Sequence, residues 1–494
     1  MSTLPKSTQV LVIGGGPAGA TAATFLAREG FDVTLMEKAV EPRYHIGESL
    51  LPSSLEILEL LGAKEKIEAY GFQPKNGAYF EWGSETWSFD FGQLLKGKQK
   101  HSYQVRRADF DKLLLDHASS QGVKVFEGIE VRELSFNKER PQSAIWSQSS
   151  GDSSSGEISF DFLFDASGRS GLMATHYLKN RRQNKVFQNV AVWGYWKDAK
   201  KLEKGPEGAI GVGSIQDGWL WAIPLHDGTL SVGVVIHRET YKAKRSGSLK
   251  DFYLSAIAEC PLVAELLTQA KLVSSVEVEQ DYSYAAESFC GPGYFLLGDA
   301  ACFLDPLLST GVHLATFSGL LSSASLASVL RNEVTEEQAL SFYEKSYRQA
   351  YLRFLMMVST LYDQKRGKDA YYQEAQTLTH NDYKNAAPNS AFLNIVSGME
   401  DITEVEDGID NLVTEKISQR VAQNQAMQQI KEDFGNSVTD PQVVDAMEGM
   451  FSFSKESLAN AAVDGLYVVT QPRLGLGYAL EKVEELSSSQ LVHS

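Results

Sequence analysis

The sequence predicts an α/β fold. It combines a Rossmann-like dinucleotide-binding domain with an antiparallel sheet domain and a helical C-terminal region. Three observations predict it. Near the N-terminus, an apolar run meets a glycine-rich turn, then a helical stretch, then a second apolar run. In the middle of the chain, apolar and polar residues alternate over 190–196, 209–214 and 230–236, the period of strands. Beyond residue 335 the period becomes helical. The expected division is discontinuous: 1–180 with 287–335 for the nucleotide domain, 181–286 for the sheet domain that roofs a substrate pocket, and 336–494 for the helical region.

Residues 9–13 form a short β-branched run, followed at once by Gly14-Gly15-Gly16-Pro17-Ala18-Gly19. Residues 20–30 then read as helix, and residues 33–36 as a second strand ending on Glu37. Strand, GxGxxG, helix, strand and acid stand in the order a dinucleotide needs. Gly14, Gly15, Gly16, Ala18 and Gly19 let backbone approach a pyrophosphate, and the helix N-terminus offers free N–H groups to it. Glu37 suits the hydroxyls of an adenosine ribose and disfavours a 2′-phosphate, so FAD and NAD both fit and NADP does not.

Composition narrows the function. The 494 residues carry 46 basic and 63 acidic side chains, a net charge of −17, which argues against a nucleic-acid partner. Cys260, Cys290 and Cys302 form no CxxC pair, so neither a disulfide framework nor a metal site is expected. No apolar run reads as a membrane span and the N-terminus shows no signal peptide, so a reduced, cytoplasmic protein is expected. Residues 145–157 are rich in Ser and Gly and read as a surface loop joining two strands.

Two further strand ends bear on the cofactor. Residues 294–297 run into Gly298-Asp299, and residues 162–164 run into Asp165-Ala166-Ser167-Gly168. Asp299 can hydrogen-bond a polyol, and flavin, unlike nicotinamide, has a ribityl chain. With the glycine cradle, these segments resemble the FAD-dependent aromatic hydroxylase and halogenase superfamily over about residues 8–345. Within it, four segments resemble the flavin-dependent halogenases. They are Gly47-Glu48-Ser49 with Pro52, the segment 72–83 that carries Lys75, the WxWxIP of Trp219-Leu220-Trp221-Ala222-Ile223-Pro224, and Ser309-Thr310-Gly311 with Val312. Arg107 stands in register with a flavin-contacting helix start of that family.

The resemblance implies that reduced FAD (FADH2) and O2 convert chloride or bromide to hypohalous acid, which halogenates a small aromatic substrate in secondary metabolism. It implies Lys75 as the catalytic residue. Glu48, Arg107, Gly311 and Val312 would lie beside the flavin, and the N–H groups of Thr310 and Gly311 would hold the halide. A separate flavin reductase is implied, since no second nucleotide cradle is visible. Lys75 would serve as an ammonium that hydrogen-bonds the acid or as a neutral amine that forms a haloamine. The tryptophan-halogenating branch has a glutamate before Ser-Thr-Gly, whereas this chain has Leu308. The sequence therefore looks closer to the branch acting on phenolic, tyrosyl and pyrrolyl rings, free or tethered to an acyl or peptidyl carrier protein. Basic clusters at 96–101 and 179–185 are the candidate carrier docks. The competing reading is an FAD-dependent aromatic monooxygenase (hydroxylase), which needs neither Lys75 nor the Ser-Thr-Gly turn.

In the helical region, Thr335-Glu336-Glu337-Gln338 predicts a capping box. Tyr343, Tyr347, Tyr351, Phe354, Val358 and Leu361 follow at helical spacing and predict a buried face. Helical pieces such as 413–434 are expected to pack over the substrate entrance.

Overall fold

The computed structural model describes residues 4–40, 46–149, 154–245, 247–365, 367–379, 386–387, 389–407 and 465–478. The expected helix at 413–434, the Ser-rich tail, and residues Arg43, Tyr44 and His45 ahead of the Glu48 segment lie outside the described residues.

The glycine-rich unit forms as its pattern dictates: strand Ser7–Ile13, helix Pro17–Arg28 with Pro at its first position, strand Val33–Glu37. These strands join a sheet in the order Cys290–Gly291, Tyr294–Leu296, Ser155–Asp165, Ser7–Ile13, Val33–Glu37, Lys124–Glu127, with Ile129–Asn137 and Arg140–Gln148 attached as an antiparallel extension. Parallel register sets Ile13 beside Asp165, Asp165 beside Leu296, and Ile13 beside Met36. The three strand ends singled out in the sequence therefore share one edge, where ligands of such sheets bind. The Ser-rich segment joins Arg140–Gln148 to Ser155–Asp165, which pair antiparallel.

A second, nine-stranded sheet is built around the long strand Arg181–Lys197 with Ile210–Ile215, Gly218–Pro224, Leu230–His237 and Glu277–Ala286. Two of its strands, Gly77–Trp82 and Glu85–Asp90, come from far earlier in the chain. One pairing, Ile210–Ile215 with Gly77–Trp82, is parallel; the neighbouring pairs are antiparallel. Alternation here does not mean one wet face. Leu220, Ala222, Val232 and Val234 pack against Phe252, Tyr253 and Ile257 of helix Leu249–Glu259, while Trp219 and Trp221 join the main core on the other side.

Helix Thr310–Leu330 corrects the membrane reading of the sequence. It is 21 residues long, holds no Asp, Glu, Lys or Arg, and is apolar enough to cross a membrane by length and composition. It is instead the central core helix, and 94% of its most apolar window is buried inside the protein. Its small residues explain this. A Cβ on Gly319 would come within 3.1 Å of Ala18 O, and Ser323 Oγ donates to Ala22 O (3.1 Å). The backbones of this helix and Pro17–Arg28 thus approach closely while serine hydroxyls find carbonyl partners.

Helix Glu336–Tyr362 opens with the predicted capping box, Thr335 Oγ1 accepting from Gln338 N and Gln338 Oε1 from Thr335 N. Its aromatic face is buried. Shorter helices Lys368–Thr377, Ser390–Val396 and Met399–Asp407 continue the packing.

Candidate active site

The shared sheet edge opens on a cavity of about 500 Å³. Gly14, Gly15, Gly16, Ala18, Glu37, Glu48, Arg107, Asp299, Thr310, Gly311 and Val312 all line it. Gly19 sits just behind. A Cβ there would lie 2.0 Å from Gly14 O, and one on Gly14 (φ +104°) would lie 2.2 Å from Ala166 O. These two glycines let the turn close on itself. Among the described residues, no heavy atom lies within 4 Å of a Cβ added at Gly16, and the helix behind it has no side-chain cap. A pyrophosphate has both room and free N–H groups here. The Glu37 carboxylate is fixed by Gly15 N (2.7 Å) and Ala39 N (2.8 Å) at the cavity rim. The set of residues fits a dinucleotide such as FAD.

At the far end, Glu48 is buried and its Oε1 accepts from the Tyr195 hydroxyl (2.6 Å). Burial pushes its carboxyl up to about 7, against the pull of hydrogen bonds from Ser231 and Tyr195 and the charges of Arg106 and Arg107. Arg107 also has a structural role. It grips Asp111 with two bonds of 2.9 Å and donates to Ile46 O (2.8 Å), holding the loop whose Gly47 has φ +110°.

The turn before the core helix is shaped by two caps. Asp305 Oδ1 accepts from Leu307 N (3.0 Å), and Ser309 adopts the left-handed region (φ 60°, ψ 30°). That reversal starts the helix at Thr310 with no side-chain cap, so its first N–H groups face the cavity. An anion is favoured at such a helix end. Gly311 leaves the approach clear, with no atom of the described residues within 4 Å of an added Cβ. Trp219, Trp221 and Ile223 form the opposite wall, from one face of their strand.

Lys75 is not on the wall of this cavity. It ends strand Gln73–Lys75, is 2% exposed, and donates through Nζ to Leu50 O (2.8 Å). The Phe91 ring lies 5.4 Å from Nζ. Burial without a carboxylate partner pulls its ammonium down to about 7. Leu50 follows Ser49, which does line the cavity, so the lysine lies one layer behind it.

Sequence reasoning missed two buried networks. In one, Asp305 Oδ2 accepts from Asn189 Nδ2 (2.8 Å) and from the Tyr362 hydroxyl (2.7 Å), which in turn accepts from Trp219 Nε1 (2.8 Å). Burial raises the Asp305 carboxyl to about 6. In the other, His313 joins Ser53 Oγ (2.8 Å) to Asp401 Oδ2 (2.9 Å), and Arg353 binds both Asp401 and Glu404. Only Asp305, which opens the turn four residues ahead of Ser309, carried a positional signal. The 179–185 cluster presents less free charge than its sequence suggests. Arg181 turns inward onto Arg169 O and the Tyr284 ring, and Arg182 pairs with Glu287. Among the described residues, no group of acids, histidines or cysteines could hold a metal.

Comparison with known proteins agrees with this geometry. The family described as tryptophan halogenase matches residues 9–100 and 94–429. A tryptophan 2-halogenase of Chondromyces crocatus is 45% identical over 98% of this chain and 95% of its own. The flavin-dependent halogenase armH2 of Armillaria mellea is 42% identical over 75% of each chain. The solved structure of the myxobacterial chondrochloren halogenase CndH, an FAD-dependent halogenase, superposes with a TM-score of 0.69 at 34% identity, covering 83% of this chain and 96% of that one. A dinucleotide cradle at the sheet edge, joined by matches of this extent, identifies the chain as an FAD-dependent enzyme of the flavin-dependent halogenase family.

Proposed function

We propose that this enzyme halogenates an electron-rich phenolic, tyrosyl or pyrrolyl ring with hypohalous acid delivered to Lys75. One observation carries the reading: a fully buried lysine, lacking a carboxylate partner, stands one residue layer behind the cavity that fits the flavin. Gly14, Gly15, Gly16, Ala18, Gly19 and Glu37 hold the adenosine and pyrophosphate half of FAD, and Asp299 holds its ribityl chain. Glu48, Arg107, Gly311 and Val312 flank its ring end. The N–H groups of Thr310 and Gly311 hold chloride or bromide. Bound reduced flavin supplies, with O2, the oxidising equivalents that turn halide into hypohalous acid. The wall of Trp219, Trp221 and Ile223 keeps the substrate ring out of the flavin chamber and so disfavours direct hydroxylation. Lys75 then donates a hydrogen bond to the acid oxygen and leaves the halogen electrophilic. A separate reductase supplies reduced flavin, and the substrate is an aromatic molecule, free or carrier-bound.

Leu308 supports the choice of ring. It is buried and apolar at the position before Ser309, so no carboxylate there accepts the ring proton, a loss that a phenol or pyrrole tolerates better than an indole does. A second reading, an indole substrate, is favoured by the name of the 45% identical relative and by the buried carboxyl of Asp305 on the chamber wall. Competition decides between them. With a flavin reductase and bromide, an equimolar mixture of a phenol, a pyrrole and an indole is expected to yield mainly bromophenol and bromopyrrole by mass spectrometry. Predominant bromoindole would transfer the assignment to the second reading.

A further inference from the structure

The face of chain around Lys75 holds polar groups that no described residue satisfies. Strand Gln73–Lys75 pairs antiparallel with Ser102–Gln104, setting Lys75 opposite Ser102 and Gln73 opposite Gln104. On its other side, Gln104 is bridged antiparallel to Ser49. Bonds from Leu50 N to Tyr103 O (2.9 Å) and from Val105 N to Glu48 O (2.7 Å) flank that bridge. Ser49 and Gln104 are therefore a close, non-hydrogen-bonded pair, with Cα atoms about 4.5 Å apart. Residues directly opposite one another, and residues two apart on a strand, project from the same face. Lys75, Ser102, Gln104 and Ser49 thus share one face. The Lys75 chain crosses it, since Nζ reaches Leu50 O (2.8 Å).

All four side chains are at most 4% exposed. Among the described residues, Ser49 Oγ, Ser102 Oγ and Gln104 Oε1 have no hydrogen-bond partner, although Gln104 Nε2 donates to Gly208 O (3.2 Å). A buried polar atom without a partner is costly, so three on one face call for a ligand. Ser49 also lines the flavin cavity. The row runs from that cavity to the lysine in steps of roughly 4.5–7 Å, the cross-strand and i to i+2 spacings.

We propose that Ser49, Gln104 and Ser102 are a holding path that hands hypohalous acid from the flavin chamber to Lys75. The inference rests on the halogenase reading above and adds the residues that carry its diffusible product. The chemistry matches. Neutral hypohalous acid has one O–H to give, which the Gln104 carbonyl accepts, and oxygen lone pairs, which the serine hydroxyls and the Lys75 amine can bond. Hydroxyl and amide groups also survive this oxidant, whereas cysteine and methionine do not. The ring beside Nζ is Phe91, not a tyrosine or tryptophan that the acid would itself halogenate. At the end of the path the substrate consumes the acid: the ring C–H becomes C–X, and the hydroxyl leaves with the ring proton as water.

The test is a partition. Wild type, Ser102→Ala, Ser102→Thr and Gln104→Leu are compared with FAD, reductase, bromide, a phenol, and a soluble scavenger that reports free hypobromous acid. FAD affinity and melting temperature are measured alongside. The expected result for Ser102→Ala and Gln104→Leu is wild-type FAD affinity and flavin oxidation, with free acid per bromophenol raised about 5-fold or more. Ser102→Thr, which keeps a hydroxyl, is expected to restore the wild-type ratio. An unchanged ratio in the two deletions, whatever their rate, would overturn the path and leave these groups holding structural water. Absence of halide-dependent product from wild type would instead overturn the halogenase reading itself, and the path with it.

Discussion

A Lys75→Met variant is expected to lose ring halogenation by at least 100-fold and yet to melt at a higher temperature than the wild type. Both effects have one cause. The ammonium of Lys75 is taken out of water beside Leu50 O and the Phe91 ring, and burial moves its pKa from 10.5 to about 7. Methionine keeps much of the stem volume and carries no charge. A shift of that size corresponds to about 4–5 kcal/mol of lost stability as an upper bound, and a few kcal/mol is the reasonable expectation. The sign follows from proton counting. Between pH 7 and 10.5 the unfolded chain binds the Lys75 proton and the folded chain does not, so wild-type stability rises with pH in that window. The advantage of Lys75→Met is therefore largest below pH 7 and shrinks towards pH 10.5. Melting curves at pH 6 and pH 9 check it. A variant that melts below the wild type at pH 6, or that still halogenates, would contradict the assignment.

The second large effect is expected at Arg353→Met, a loss of about 3–5 kcal/mol of stability with weakened halide use. Arg353 is 1% exposed and binds Asp401 and Glu404, while His313 bonds Asp401 and Ser53. Removing the guanidinium leaves two buried carboxylates without their cation, a costly change in any protein interior. Burial would raise the Asp401 carboxyl, but Arg353 and His313 outweigh it and hold the group below the usual carboxylate range. A depressed carboxylate contributes stability above its unfolded pKa and loses it as pH falls through the folded value. The deficit of the variant should thus be greatest near neutrality and narrow in acid. His313 stands two residues after Gly311 in the core helix, so this network ties the helices around 390–407 to the turn that faces the cavity. A raised halide KM, with kcat less affected, would follow from a loosened first turn. Urea melts at pH 4.5 and 7 and halide titrations measure both parts.

What was legible in the sequence was local. Gly14 to Gly19 and Glu37 lie within one strand–turn–helix–strand unit, where spacing dictates position. Asp299 follows an apolar run whose strand end parallel register sets beside that of the glycine-rich unit, and Thr310-Gly311 follow the left-handed Ser309. The illegible part depends on contacts between distant segments. Nothing in the residues around Lys75 shows that Ser102 pairs opposite it, or that Leu50 O accepts its hydrogen bond. Arg353 reads as an ordinary polar residue of an amphipathic helix until Asp401 and Glu404, some 50 positions later, close over it. Strands Gly77–Trp82 and Glu85–Asp90 escaped assignment because their place in the second sheet is decided by Ile210–Ile215, not by their own period. The uncharged run 310–330 has the length and composition of a span although none was expected, because small residues that pack one helix against another share that composition.

The most direct test of the central claim is the halogen isotope pattern in the product. The protein is supplied with FAD, a flavin reductase, NADH, O2 and an electron-rich phenol, in chloride, bromide and halide-free buffers. The account predicts a chlorinated or brominated phenol that tracks the halide supplied and is absent without it. A hydroxylated phenol formed equally in all three buffers would contradict the account and make the enzyme a monooxygenase.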